Sequence, residues 1–293
     1  MTDKKLMPPL WIAYPYIDRY SIGWRMGSGE AYAFDFSDWI EKLSNNEMSE
    51  YIEMFPEPKS WAGYWDGYRG KGLNLQAVEN QIYTRNDFII CFWQEEGKPL
   101  YNIEWLKKKH NSGEKIDYLF FWGHRPSKNG ITKSCLSQWW KSNFRENIYD
   151  YCCMEQYMMS QKALLFGDKE IFKQIMACDD PKTIKSLGRK IRNFDEKVWN
   201  EVKYSIVLNG NYLKFTQNRK LMEFLLSTDD KILVEASPYD GIWGIQMNAD
   251  DERAKNPNEW QGENLLGFAL TEVREEIKRI YANEGLLDYS FVK

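Results

Sequence analysis

The sequence has few of the residues from which metal sites are built. It contains two histidines, His110 and His124, and five cysteines, none of which form a C-x-x-C pair. Because a zinc site needs three or four such ligands at characteristic spacing, we expect neither a metal nor a cofactor. An odd number of unpatterned cysteines is typical of a reducing compartment. Because no metal is expected, exhaustive chelation should leave the activity of the protein, whatever it is, at its full level.

Long apolar segments and an excess of positive charge are also missing. No run approaches the roughly 20 apolar residues of a membrane helix, and the N-terminus MTDKKLMPPL is not followed by the apolar stretch of a signal peptide. The net charge of −4 lacks the strongly basic footprint of many nucleic-acid binders, although a local basic patch remains compatible with it. The sequence thus predicts a soluble, cytoplasmic protein with no membrane partner.

Three common motifs of nucleotide-binding and hydrolytic proteins are absent. The chain has no Gly-Lys-Ser/Thr phosphate loop, no G-x-G-x-x-G after a strand and no G-x-S-x-G elbow. P-loop, Rossmann and serine-hydrolase chemistry therefore have no support.

Aromatic residues, in contrast, are abundant. They make up 16% of the chain, with 13 Trp, and many of them lie in the first part of the sequence. The polar segment Lys107–Lys115 reads as a linker or surface loop, so we divide the chain into a Trp-rich region, residues 1–112, of unknown role and a domain, residues 113–293. The tryptophans either form stacking surfaces or fill a core. For the loop Trp61–Gly72 we favour packing over ligand stacking.

Local patterns predict the secondary structure of both regions. In the first they predict helices over Glu30–Leu43 and Glu47–Met54, and a strand over Asp87–Trp93 with Leu100–Trp105 as its hairpin partner. In the second they predict two strands, Tyr118–Trp122 and Lys231–Glu235. They also predict the helices Met154–Phe166, Lys169–Cys178, one from Pro181, one from Asp195 through Val207, Asn218–Ser227 and Asn264–Ala282. The predicted fold is mainly α (α+β), a compact multihelical domain with a small β element, preceded by an α/β N-terminal region.

The helix MEQYMMSQKALLF carries the most informative pair of charges. Glu155 and Lys162 are seven residues apart, so they share one helix face, separated by roughly 10 Å along the axis. Apolar residues surround them on nearly every side, which indicates a largely buried helix. Since buried charges are costly unless paired or used, the pair is either an internal ion-pair network, a snorkelling lysine, or part of a functional site.

Two loops and one helix end supply further candidates. Asp240, Trp243 and Gly244 follow a predicted strand, and such a loop suits a site that stacks a flat ring and binds a sugar, although ordinary tight turns have the same composition. The other candidates are cationic residues suited to phosphate or to a plain surface role, namely His124, Arg125 and Lys128 after the other strand, and Arg189 near a helix end.

The order of these segments resembles the NADAR (YbiA-like) family. The resemblance runs through FFWGHRPSKNGITKSCLSQWW, MEQYMMSQKALLFGD, IKSLGRKI, FDEKVWNEV, LKFTQN, LVEASPYDGIWG and GENLLGFALTEVREEI, which together span about 170 residues. It implies a compact, mostly helical fold that hydrolyses the N-glycosidic bond between a ribose and a base. Its functional residues fall on Glu155, Lys162, Trp199, Asp240 and Trp243.

The resemblance also implies a mechanism. Glu155 acts as general acid/base at the anomeric carbon. Lys162 forms a Schiff base with the opened sugar, which the resemblance favours, or stays charged and stabilises an oxyanion or phosphate. Asp240 binds sugar hydroxyls or stabilises the developing cation, and Trp199 and Trp243 stack on the base.

Two activities are known in such proteins, and the resemblance leaves both open. One removes ADP-ribose from guanine bases in nucleic acid; the other cleaves ribosylamino-pyrimidine phosphates, which are riboflavin intermediates. The start Trp122-Gly123-His124 and the additional N-terminal region favour the first. One departure is that many relatives have Glu-His where this chain has Glu155-Gln156, so a proton shuttle through that histidine is not available here.

The expected partners follow from these activities. They are a nucleotide or ADP-ribosyl substrate, nucleic acid carrying ADP-ribosyl-guanine, and a partner toxin or a second copy of the chain bound through the N-terminal region. A non-catalytic ADP-ribose- or NAD-binding module is the competing interpretation. The joint presence of an acid and an amine argues against it, since binding alone needs neither.

Overall fold

A computed structural model describes residues 5–70, 81–128 and 130–292, and the chain forms two compact units. The first unit consists of the described residues of Met1–Asn80, Arg145–Asp150 and Glu276–Lys293. The second consists of Gln81–Phe144 and Tyr151–Glu275. The division expected at residue 112 stays a prediction.

The first unit begins with four helices: α1, Leu10–Ala13; α2, Gly23–Met26; α3, Glu30–Ile40; and α4, Asn45–Met54. The last two confirm the helices predicted there. Helix α4 begins at a capping box, in which the Ser44 hydroxyl accepts from the Glu47 N–H while the Glu47 carboxylate accepts from the Ser44 N–H. It ends just before Pro56, as expected from the lost backbone donor.

The tryptophans of the first unit build its core. Trp11, Trp61 and Trp65 are buried, and the rings of Trp61 and Trp65 lie 5.4 and 5.2 Å from that of Trp11. The Trp65 indole N–H donates to the Phe55 carbonyl at 2.9 Å. Packing is therefore the confirmed interpretation for the aromatic residues of the loop Trp61–Gly72, whose last two positions lie outside the described residues.

The second unit opens with a hairpin that differs from the predicted one. Strands β1, Ile82–Arg85, and β2, Phe88–Cys91, are antiparallel and joined by Asn86-Asp87, with Asn86 at φ 54°. The predicted partner Leu100–Trp105 is wrong: helix α5, Ile103–Asn111, begins there instead. The physical reason is that the Asn102 side chain caps this helix by accepting from the Trp105 N–H at 2.9 Å.

Two distant strands pair in parallel within the second unit. Strand β3, Tyr118–Phe121, lies beside β6, Ile232–Glu235, with Phe121 opposite Glu235. Both predicted strands are thus confirmed. The side chain of Asn264 pairs with the backbone of β6. It accepts from the Glu235 N–H at 2.9 Å and donates to the Leu233 carbonyl at 3.0 Å.

Helices form most of the remaining chain, which confirms the mainly α fold. Short strands β4, Phe144–Glu146, and β5, Tyr149–Tyr151, pair before them. The helices are α6, Met154–Leu165; α7, Lys169–Met176; α8, Pro181–Gly188; α9, Glu196–Thr216; α10, Arg219–Leu226; and α11, Leu265–Ile280. Asp168, Asp180 and Asp195 cap three of them through their carboxylates, as their positions predict. Across the described residues, every helix is too short or too polar to span a bilayer.

Candidate active site

The paired ends of β3 and β6 open onto a cavity of about 540 Å³. Because the two strands are parallel, the segments that follow them emerge at the same edge. Trp122, Gly123 and His124 arrive from β3, while Glu235 ends β6 and Asp240 follows it. Helices complete the wall. The remaining lining residues are Ser137, Gln138, Trp139, Glu155, Met158, Met159, Lys162, Lys185, Gly188, Arg189, Trp199, Ser237, Tyr239, Ile242 and Trp243.

Helix α6 presents one face to this cavity. Glu155 and Lys162 both lie on the wall, as their spacing on one helix face requires. Helix α8 packs against α6 very closely: a Cβ on Gly188 would lie 2.0 Å from the Met159 sulfur. A larger residue at this contact would displace the Met159 side chain, and the contact brings the C-terminal end of α8 beside Lys162.

Glu155 is buried with only 3% of its surface exposed. One carboxylate oxygen accepts from the indole N–H of Trp139 at 3.2 Å, and the other, Oε1, is buried with no hydrogen-bond partner. Burial raises the pKa of Glu155 to about 7, with the charge of Asp240 adding to the rise, against the opposing effects of Lys185 and the Trp139 hydrogen bond. A carboxyl of this kind exchanges protons near neutral pH.

Lys162 is half-buried among a carbonyl and two rings. Its Nζ donates to the Gly188 carbonyl at 3.3 Å and lies 4.2 and 5.3 Å from the ring centres of Phe194 and Trp199. Within the described residues these contacts include no ion pair with a carboxylate, which argues against the internal ion-pair interpretation. Burial lowers the pKa of Lys162, and the charge of Glu155 partly opposes this.

Asp240 shapes the loop after β6. Its Oδ1 accepts from the backbone N–H groups of Ile242 and Trp243 at 3.0 and 2.8 Å, so this carboxylate oxygen holds the turn, and Asp240 also lines the cavity. Gly244 lies behind this wall rather than on it. A Cβ there would meet the Glu235 carbonyl at 2.7 Å, so its role is close backbone packing.

Eight of the sequence-predicted site residues line the cavity, and three do not. The eight are Gly123, His124, Glu155, Lys162, Arg189, Trp199, Asp240 and Trp243. Gly244 is buried behind the wall, while Arg125 and Lys128 are exposed on the loop after β3, outside the lining. The functional role of all eleven stays a prediction.

Several lining residues were not among the sequence candidates. Trp139 contacts Glu155 directly, its ring centre lies 5.4 Å from that of His124, and the Lys185 Nζ lies 5.8 Å from it. Glu235 contributes a second carboxyl, which is partly exposed at the cavity but whose Oε2 is buried. The one sequence signal for Glu235 was its position as the last residue of a predicted strand that precedes the Asp-Gly loop.

Gln156, which stands where many relatives have a histidine, has a structural role. Gln156 is buried and points away from the cavity wall: its amide accepts from the Cys152 N–H at 2.7 Å and donates to the carbonyls of Ile175 and Cys178 at 3.1 and 2.8 Å. This side chain ties α6 to the end of α7. Because its amide is used in these hydrogen bonds, Gln156 is not part of the cavity wall.

In the described ranges no group of three or more His, Cys, Asp or Glu side chains is arranged to hold an ion.

Comparison with known proteins gives a consistent assignment. The family model of the NADAR domain matches residues 120–278. The N-glycosidase R617 of Acanthamoeba polyphaga mimivirus is 47% identical over 164 residues, which cover 54% of this chain and 95% of that protein. An N-glycosidase of Nostoc punctiforme is 31% identical over 138 residues, 47% of this chain and 81% of that protein. The NMR structure of the E. coli protein YbiA has a TM-score of 0.46 and 23% identity, covering 59% of this chain and 89% of that one.

Proposed function

This chain belongs to the NADAR family and is a hydrolase of N-glycosyl compounds, and from that premise we propose that it removes ADP-ribose from modified guanine bases in nucleic acid. The observation that carries the proposal is that buried Glu155 and half-buried Lys162 face one aromatic-walled cavity. Such a cavity binds a small ligand and exposes it to an acid and an amine.

The reaction breaks the bond between the ribose C1′ and a nitrogen of the base. The bonding electrons pass to the base, which takes a proton, and the oxygen of water finally joins C1′. Glu155 would move a proton during this exchange, since its pKa of about 7 leaves both forms populated at neutral pH.

Lys162 would form a covalent intermediate. The amine attacks C1′ of the opened sugar, the base departs with a proton, and an imine joins Nζ to C1′. Water then adds to the imine, which releases the sugar aldehyde and restores the amine. This step needs an uncharged lysine, and burial lowers the pKa of Lys162 in that direction.

The walls suit the remaining parts of ADP-ribose. Trp199 and Trp243 offer flat faces to a base, while the second oxygen of Asp240 is available to a sugar hydroxyl. Lys185 on α8 and Arg189, which directly follows that helix, supply positive charge for a diphosphate.

The rim of the cavity favours a substrate attached to a polymer. Trp122 and Tyr239 are 51% and 84% exposed although both line the opening, and their ring centres are 6.1 Å apart with planes tilted by 56°. Exposed rings at a mouth stack on unpaired bases. Arg125 and Lys128, exposed on the adjoining loop, would contact the phosphates beside them. A free ribosylamino-pyrimidine phosphate would leave these groups without a role.

The test is base release from two substrates, followed by mass spectrometry. Purified protein is incubated with a guanine-ADP-ribosylated oligonucleotide and, separately, with the ribosylamino-pyrimidine phosphate. We expect free ADP-ribose from the first at a rate well above that on the second. Cleavage of the second alone would assign the enzyme to flavin metabolism. Tight ADP-ribose binding without turnover of either would favour the binding module.

A further inference from the structure

Glu235 is a second acid held rigidly at the cavity wall. It is the last residue of β6, where its N–H donates to Asn264 at 2.9 Å and its carbonyl accepts from the Ile245 N–H at 2.9 Å. Its backbone is therefore fixed on both sides. Functional groups on strands are placed more accurately than those on loops.

Among the described residues, no hydrogen bond of the Glu235 side chain accounts for the burial of its Oε2. Its Oε2 is buried without a hydrogen-bond partner, and the residue lines the cavity. A buried carboxyl oxygen without a partner is destabilising, so its presence calls for a use beyond packing. The charged groups that act on it are Asp240, Lys185 and Glu155.

The two acids differ in their surroundings. Burial and the charge of Asp240 disfavour ionised Glu155, but Lys185, the Trp139 N–H and Arg189 all favour it. Glu235 has no such donor, and the negative charge of Asp240 acts on it more strongly than the positive charge of Lys185. Pairs of acids whose surroundings differ in this way divide the work of proton donor and acceptor.

We propose that Glu235 is the general acid of the reaction, which delivers its proton to the departing base nitrogen, while ionised Glu155 accepts a proton from the attacking amine or water. The proposal rests on the function proposed above. The balance is complete: the base gains the proton of Glu235, Glu155 gains one from the nucleophile, and transfer through solvent restores both carboxyls before the next turnover.

The test compares Glu235→Gln with the exposed-site control Glu259→Gln, using the guanine-ADP-ribosylated oligonucleotide in single-turnover assays across pH. We expect Glu235→Gln to slow base release by about 100-fold or more. For the wild type, whose Glu235 pKa is raised to about 8, release should fall as pH rises through that range. This alkaline fall should vanish in Glu235→Gln and persist in the control. A rate within about threefold of wild type would overturn the proposal, as would a slow variant that keeps the alkaline fall, which indicates a merely structural role.

A spectroscopic measurement makes the result independent of turnover. Infrared difference spectra of wild type against Glu235→Gln at pH 7 should contain the C=O stretch of a protonated carboxyl that the variant lacks. Absence of this band would overturn the proposal, even if the variant were inactive through misfolding. Failure of the proposed function is seen separately, as wild-type protein that leaves the oligonucleotide intact while the band is present.

Discussion

Glu155 and Lys162 illustrate how one buried helix face changes the chemistry of two ordinary side chains. Desolvation disfavours the charged form of each, so the pKa of Glu155 rises and that of Lys162 falls. The charge of Glu155 partly opposes the shift of Lys162, and it acts through space because the Lys162 amine donates to a carbonyl instead. Both side chains are consequently closer to proton exchange at neutral pH than they are in water.

Removing the amine should abolish the reaction without unfolding the protein. Lys162→Ala is expected to lower the rate of base release by about a thousandfold or more, because the covalent step has no nucleophile. Lys162→Arg, which keeps a positive charge, should be equally inactive. The exposed-site control Lys173→Ala should behave as wild type. Rates from single-turnover assays decide the matter, and near-normal turnover by Lys162→Ala would rule out the covalent role.

Neutralising Glu155 should stabilise the protein at alkaline pH. The folded pKa of about 7 exceeds the ordinary value of 4.5, so the folded state binds this proton more tightly than the unfolded state. The contribution of Glu155 to the free energy of unfolding is therefore fully present at or below pH 4.5 and is lost as the pH rises through 7. Glu155→Gln should exceed wild type by roughly 3 kcal/mol at pH 8 and match it near pH 4.

Urea denaturation at both pH values measures this difference. Glu259→Gln, an exposed acid outside the cavity, should show no such pH dependence relative to wild type. Equal stability of Glu155→Gln and wild type at pH 8 would mean that the carboxyl is not desolvated as described.

The sequence predicted some single residues of the site better than others. Glu155 and Lys162 were predictable because helical spacing fixes which side chains share a face. Glu235 and Trp139 were not. Glu235 reaches the cavity only through pairing of β6 with a strand more than a hundred residues earlier, and local pattern carries no information on that pairing.

Among the elements, the parallel strand pair organises the cavity, and Asn264 secures it. Its side chain replaces a neighbouring strand by serving both the Glu235 N–H and the Leu233 carbonyl. Asn264 itself has φ 54°, a conformation that asparagine tolerates better than most residues. Loss of this side chain would leave two backbone groups of β6 without partners.

Asn264→Ala should therefore destabilise the protein and displace Glu235. We expect a loss of about 2–4 kcal/mol, because buried backbone groups lose their hydrogen bonds. Thermal and urea denaturation measure the loss, and the alkaline fall of activity attributed to Glu235 should shift with it. The exposed Asn248→Ala is the control. A change below about 0.5 kcal/mol for Asn264→Ala would contradict this role.

Helices were predicted more accurately than strand pairings for a physical reason. Caps such as Asp168, Asp180 and Asp195 are local and act within three residues. The hairpin partner of β2 was assigned to the wrong side because Asn102 was not recognised as a helix cap. The correct turn, Asn86-Asp87, has an Asn in the left-handed region, a known hairpin signal.

For the whole molecule, overall composition is a poor guide to the roles of the charged and the aromatic residues. The net charge of −4 gives no general attraction to nucleic acid, so the proposed binding of nucleic acid requires a local surface. Most of the N-terminal tryptophans that stood out in the sequence are core residues of the first unit. The rings exposed beside the cavity are instead Trp122 and Tyr239.

The rings of Trp122 and Tyr239 should contribute to the binding of polymeric substrates and not to that of small ones. Trp122→Ala and Tyr239→Ala are each expected to raise KM for the ADP-ribosylated oligonucleotide by about tenfold, in line with the usual cost of a lost base stack. KM for ADP-ribosylated guanosine, which has no neighbouring bases, should change little. Phe34→Ala, an exposed ring of the first unit, serves as control. Equal effects on both substrates would assign the rings to the ADP-ribose itself.

The central claim is that Lys162 attacks the ribose of an ADP-ribosylated guanine. It is tested most directly by reducing the reaction mixture with borohydride during turnover and locating the adduct by peptide mass spectrometry. We expect release of free guanine-containing oligonucleotide together with one ADP-ribose-derived adduct on the Lys162 peptide, absent from Lys162→Arg. Base release without an adduct, or an adduct on another lysine, would contradict it.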